Sequence, residues 1–258
     1  MPKFAANLTM LFTEQPFLDR FAAASRAGFK AVEFLFPYDH PAQQVADIAK
    51  AARLQVVLHN LPAGNWAGGE RGIACLPGRV DEFRAGVTRA IEYAKALGAP
   101  QVNCLAGLAA PDDAAAHRTL VDNLRFAGDA LDKAGIGLLL EPVNTRDVPG
   151  FFVSRTAQGL AILDEVGHPN LKLQYDIYHA QVMEGDLLPT IERNFARIGH
   201  MQVADNPGRN EPGTGEINYP YVFRRLDELG YAGWIGCEYK PSAAGLGWMK
   251  PYMAAAAA

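Results

Sequence analysis

The sequence predicts a single (β/α)8 TIM barrel, and three observations lead there. Eight short apolar or mixed runs alternate with longer stretches of helical period. Glycine recurs just ahead of the expected strands, at Gly28, Gly98, Gly135, Gly167, Gly199 and Gly233, the punctuation of helix-to-strand turns. The chain's 258 residues match the roughly 250 that one such barrel takes. No linker or shift of composition divides them. Residues 1–253 are therefore expected to form one barrel domain, followed by an uninformative alanine tail at 254–258.

The expected strands cover 4–7, 31–34, 55–60, 101–105, 137–141, 171–176, 200–204 and 234–238. Near-continuous apolar content, as in Val56-Val57-Leu58 and Leu138-Leu139-Leu140, suits strands covered on both faces, as parallel strands are. Between them, Phe83, Val87, Ala90, Ile91, Ala94 and Leu97 keep helical spacing up to a stop at Gly98. Residues 154–166 repeat the pattern before Gly167, and 221–229 run to Gly230. A doubly wound open sheet is the alternative, but no G-x-G-x-x-G follows the first strand. Two connections, 61–79 and 205–219, are longer than a barrel needs. Each follows a strand and so belongs to the rim where barrel active sites form, and loops this long are usually functional.

Composition narrows the partners. With 49% hydrophobic and 20% charged residues the chain can bury a large core. A net charge of −4 gives no attraction toward nucleic acid or an anionic membrane surface. Cys75, Cys104 and Cys237 are odd in number and far apart, which supports neither a disulfide framework nor a zinc knuckle. There is no basic start followed by an apolar run, and no stretch of apolar residues long enough to span a membrane. A cytoplasmic protein is expected.

The chemistry gathers on the last four strands. Glu141, Asp176, Gln202 and Glu238 each lie at or near a strand end, about one strand–helix unit apart. A closed parallel barrel brings such ends to one rim, so three carboxylates and an amide converge. Taken singly, each has an ordinary role; Asp176, for example, could cap the following helix. Together they repel one another unless a cation stands among them. All-oxygen ligation selects a hard divalent ion over zinc, so Mg²⁺ is the expected cofactor, with Mn²⁺ an acceptable substitute. Four protein ligands in an octahedral shell leave two positions for a substrate's adjacent hydroxyl and carbonyl oxygens.

The stretches FAANLTMLFTEQPFLDRF, VEFLFPYDHP, LHNLPAGNWAGGERGIACLPGR, LQYDIYHAQ, ADNPGRNEPGTGEINYPY and GWIGCEYKP cover most of the chain. Together they resemble the xylose-isomerase-like barrel superfamily, and within it the subgroup that isomerises hydroxypyruvate. Many superfamily members carry His at the position of Gln202, and Gln there suits this subgroup. The resemblance implies interconversion of hydroxypyruvate and tartronate semialdehyde (2-hydroxy-3-oxopropanoate) through an enediolate. It also implies that Glu141 and Glu238 are the proton donor and acceptor pair while serving as metal ligands. A cation beside them normally lowers a carboxylate's pKa, a tension with basic catalysis.

A small hydroxy or keto acid also needs its carboxylate recognised. Arg71, Arg209 and Lys240 lie in or beside rim loops and are candidates, as are His59 and His179 for substrate hydroxyls. His200 should lie deeper on its strand and is expected to be structural; Phe36 and Trp66 are candidate pocket walls. A 2-oxo-tetronate isomerase or a ketose isomerase-epimerase is the near alternative, and a homo-oligomer is expected from the superfamily. Phosphodiester hydrolysis would call for several metal-binding histidines and a basic face. Six histidines in an acidic chain argue against it.

Overall fold

A computed structural model describes residues 1–242 and 245–253; the alanine tail expected at 254–258 lies outside the described residues. Eight strands run in chain order: β1 (Lys3–Asn7), β2 (Ala31–Phe34), β3 (Gln55–Asn60), β4 (Gln101–Cys104), β5 (Gly137–Leu140), β6 (Leu171–Asp176), β7 (Ile198–Val203) and β8 (Trp234–Cys237). Every neighbouring pair is parallel. β8 pairs back onto β1, with Lys3 opposite Trp234 and Ala6 opposite Cys237, so the sheet closes into a barrel. The expected strands fall within one residue of where the sequence placed them, except β7, which begins two residues and ends one residue earlier than anticipated. Its extra start is Ile198, a buried residue paired with Leu173.

Helices α1 (Arg20–Arg26), α2 (Ala42–Ala51), α3 (Val80–Leu97), α4 (Ala114–Asp132), α5 (Thr156–Val166), α6 (Ile177–Met183), α7 (Leu187–Asn194) and α8 (Tyr219–Glu228) surround the barrel. Their apolar faces set their positions: Phe83, Val87, Ala90 and Ala94 are the buried face of α3. That helix stops at Gly98, whose left-handed φ of 64° reverses the chain into β4 without the steric cost a Cβ would bring. α4 starts where the Asp113 side chain accepts from the Ala115 and Ala116 amides. No helix among the described residues is long and apolar enough to cross a membrane. All three cysteines are buried and free.

Strand alternation then layers the barrel interior. Ala5, Ala31 and Leu139 join Val57 and Leu58 in a small apolar cluster, with Trp234 packed against it. Two residues further along the same strand faces come Asn7, Glu33 and Glu141, all buried. The interior thus changes from apolar to polar toward the C-terminal rim.

Candidate active site

That polar layer opens into a cavity of about 200 Å³, lined by Asn7, Glu33, Asn60, Trp66, Glu141, Gln174, His179, Gln202, Arg209 and Glu238, among others. Glu141 follows the last residue of β5 and is held by Asn103 of β4, whose Nδ2 donates to Oε2 at 2.7 Å. Asp176 ends β6 and does two jobs. Its Oδ1 caps α6, accepting from the Tyr178 amide at 2.8 Å and the His179 amide at 3.4 Å. Its Oδ2 is buried and takes no hydrogen bond. The capping role and the cluster role, which the sequence posed as alternatives, coexist because one carboxylate has two oxygens.

The first turn of α6 brings His179 back over the strand end. Its Nε2 stands 3.6 Å from Asp176 Oδ2 and 4.0 Å from Glu141 Oε1. Asn144 Nδ2 approaches the other ring nitrogen at 2.6 Å. Arg209, from the long loop after β7, reaches in over this cluster. Its Nη2 donates to Glu238 Oε1 at 3.2 Å and stands 3.8 Å from Asp176 Oδ2. The loop is tied down by main-chain contacts: Lys240 N donates to Arg209 O at 2.7 Å, and Asn210 Nδ2 to Lys240 O at 2.8 Å.

The electrostatics follow from burial. Removal from water pushes Glu141 up to about 8, Asp176's negative charge adds to this, and the Asn103 hydrogen bond and Arg209 oppose it. Burial likewise raises Asp176 to about 6, against the pull of Arg209 and of the two capping amides. Glu238 is driven well above the carboxylate range by burial, with Arg209 the main opposing influence. Burial, then Arg209's charge, hold His179 well below the usual imidazole range, so it is a neutral ligand-type base.

Such a set fits a divalent cation. Glu141, Asp176 and His179 each offer a ligand atom, and these lie within 4.8 Å of one another. Asp176 Oδ2 and Gln174 Oε1 are buried oxygens without a donor. Crowded, desolvated carboxylates of this kind bind a positive charge strongly.

Three of the five candidate substrate-binding residues, His59, Arg71 and Lys240, do not line the cavity. Leu58 and Asn60 do, so alternation along β3 turns the intervening His59 outward, where it is buried against Tyr38. Arg71 stacks on the Trp66 ring at 4.3 Å and donates to the Trp66 and Glu70 carbonyls, one side chain removed from the cavity. Lys240 is exposed and acts through its main chain. His200 is structural as expected, deep on β7 and 2.6 Å from Glu33. Trp66 is a wall of the cavity, whereas Phe36 does not line it and packs on Trp66 with ring centroids 5.0 Å apart. Asn7, Glu33, Asn103 and Gln174 went unremarked in the sequence. Glu33 left a signal there, an acid inside the apolar run Ala31-Val32-Glu33-Phe34 of a strand expected to be covered on both faces.

Comparison with known proteins meets this geometry. The model of the xylose isomerase-like TIM barrel matches residues 21–252. The chain belongs to the xylose isomerase-like TIM barrel family. Within that family it is 53% identical to hydroxypyruvate isomerase of Escherichia coli (strain K12) over 257 residues, 98% of this chain and 100% of the relative. It is 52% identical to 2-oxo-tetronate isomerase of Cupriavidus necator over 258 residues, 98% of this chain and 99% of the relative. A solved structure from Brucella melitensis, described as AP endonuclease, family 2, superposes with a TM-score of 0.94 at 45% identity, covering 98% and 99% of the two chains.

Proposed function

We propose that this chain is a metal-assisted isomerase that interconverts hydroxypyruvate and tartronate semialdehyde. One observation carries the reading: the buried carboxylates of Glu141 and Glu238 face a single small cavity in which Arg209 is the one Arg or Lys among the described lining residues. At about 200 Å³ the cavity is below the roughly 300–1,000 Å³ of sites for drug-sized ligands, which favours a short acid over a long sugar.

Each group has a role in the reaction. Arg209 pairs with the substrate carboxylate, whose geometry a guanidinium fork matches. One of Glu141 and Glu238 removes a proton from the hydroxymethyl carbon; the C–H electrons form the carbon–carbon double bond while the ketone oxygen takes up the displaced pair. The other glutamate delivers a proton to the former ketone carbon. The proton of the original hydroxyl passes to the former ketone oxygen as the hydroxymethyl carbon becomes the aldehyde. One hydrogen on carbon and one on oxygen thus both move from the hydroxymethyl group to the former ketone. His179 and Asn103 hold the reacting groups in place, His179 through the substrate oxygens and Asn103 through Glu141. A divalent ion, Mg²⁺ with Mn²⁺ able to replace it, held by Glu141, Asp176, Gln202 and Glu238, would supply positive charge opposite the developing enediolate. Burial and a cation act on Glu141 in opposite directions, the first raising its pKa to about 8 and the second lowering it, which keeps a metal-binding carboxylate basic enough to take a proton.

The decisive experiment incubates the Mg²⁺-loaded protein with hydroxypyruvate in deuterium oxide. Tartronate semialdehyde and solvent deuterium at carbon are expected. Absence of both overturns the assignment, and a chelator is expected to abolish both. The likeness to 2-oxo-tetronate isomerase favours a second substrate for the same chemistry, and the ratio of kcat/KM on the two acids decides between them.

A further inference from the structure

Glu33 has no solvent exposure and no step of the isomerisation uses it. Burying a carboxylate is costly unless donors surround it, and donors do. Oε1 accepts from Asn7 Nδ2 of β1 at 2.9 Å and from Gln202 Nε2 of β7 at 2.7 Å. Oε2 lies 2.6 Å from His200 Nε2, also of β7. β8 makes the room: a Cβ at Gly236 would collide with both Glu33 oxygens.

The consequence falls on Gln202. A glutamine amide has nearly the same shape either way round, and only its partners decide which end faces where. A carboxylate accepts, so the NH2 end is held to Glu33. The oxygen end is turned the other way, where it accepts from Gln174 Nε2 at 2.7 Å. Gln174 in turn bonds Glu141. Asp176 lies opposite Gln202 in the β6–β7 pair; reversed, the amide would offer hydrogens where it now offers an oxygen, and hydrogens do not ligate a cation.

We infer that Glu33 is a positioning residue: from the floor of the cavity it fixes the Gln202 amide with its oxygen turned away from Glu33 toward Gln174, beside Asp176 on the neighbouring strand, where it can join the ligands of a cation. This deepens the metal-assisted reading and rests on it. On this reading Glu33 acts through Gln202.

The test uses the full-length protein stripped of metal and titrated with Mn²⁺, free Mn²⁺ being followed by electron paramagnetic resonance, so that no turnover is needed. Glu33→Gln keeps the size of the side chain and removes the obligation on Gln202 to present its NH2. Its Mn²⁺ affinity is expected to fall about 10–100-fold, the usual cost of losing a partner that orients a ligand. In a Gln202→Ala background the same change should shift affinity by less than about twofold, because the two act as one unit. Gly236→Ala, which displaces the Glu33 carboxylate sterically, should weaken binding in the same way, and it carries the test if Glu33→Gln does not fold. A folded Glu33→Gln protein that binds Mn²⁺ like the wild type overturns the proposal, as does an equal loss in both backgrounds. A wild-type chain that takes up no Mn²⁺ overturns the metal-assisted reading together with this one.

Discussion

The two halves of the barrel contribute differently to the candidate site. β5–β8 and the segments that follow them carry Glu141, Asp176, His179, Arg209 and Glu238, the charged and basic groups. β1–β4 carry Asn7, Glu33, Asn60 and Asn103, three amides and one acid. Burial raises the pKa of Glu141, Asp176 and Glu238 in the second half. The first half supplies hydrogen-bond partners to the second: Asn103 donates to Glu141, and Glu33 accepts from Gln202. On the proposed reading, one half does the chemistry and the other holds it in register. A single acid-rich face would repel itself apart, whereas neutral amides can pack against carboxylates without adding charge.

The largest effects should come from the charged half. Glu141→Gln and Glu238→Gln are each expected to lower kcat by about 10²–10⁴-fold, the contribution of a positioned proton carrier. Deuterium uptake from solvent should fall with it, and wild-type turnover by either variant removes that residue from the proton path. Next comes Arg209→Met. Losing a charged hydrogen bond to the substrate carboxylate should cost about 10–100-fold in kcat/KM, carried mainly by KM. A loss confined to kcat would place Arg209 with the acids alone and leave the carboxylate to another group.

A smaller effect is expected on the positioning half. Asn103→Ala removes the hydrogen bond that lowers Glu141's pKa, so Glu141 shifts further up and is protonated to a greater extent at neutral pH. The expected result is a loss of about tenfold in kcat, with the acid limb of the pH–rate profile moved to higher pH. An unmoved profile would mean that Asn103 only fills space.

The smallest effect on activity belongs to His59, which faces away from the cavity. His59→Gln should leave kcat/KM within about twofold of the wild type. Its signature lies in stability. Burial lowers His59 from 6.5 to about 4, partly offset by its bond to the Asn60 carbonyl. The unfolded chain therefore takes up this proton first as pH falls. The contribution is complete above pH 6.5 and is lost on the way down through pH 4, amounting to about 3 kcal/mol. Urea unfolding at pH 7 and pH 4 should show that this part of the pH dependence is missing in the variant. Equal dependence in both proteins would deny the histidine a neutral buried state.

His59 also marks the limit of reading a site from sequence. Glu141, Asp176, Gln202 and Glu238 were legible because the end of a parallel strand in a closed barrel has one destination, whatever the rest of the chain does. His59 ends a strand equally well, but a bulge-prone sheet and period-two alternation decide its face, and one residue of register inverts the answer. Arg71 and Lys240 sit in the right loops, yet the loop's path decides whether a long side chain turns in, as Arg209 does, or out. The partners of Glu33 were hidden for the opposite reason: it lies early in the chain, far from Gln202 and His200, and nothing local records that β2 and β7 face each other across the interior.

The sequence by itself determined the element order, the closed parallel sheet, the convergence of the acids and the family. These follow from periodicity, from glycine stops and from motifs whose meaning is local. Tertiary structure alone decided which cation-bearing loop reaches the acids, that His179 stands among them, and that an amide's orientation is set from the opposite wall. Those outcomes depend on burial and on contacts between strands distant in sequence, where desolvation and hydrogen-bond direction, rather than residue type, set the chemistry.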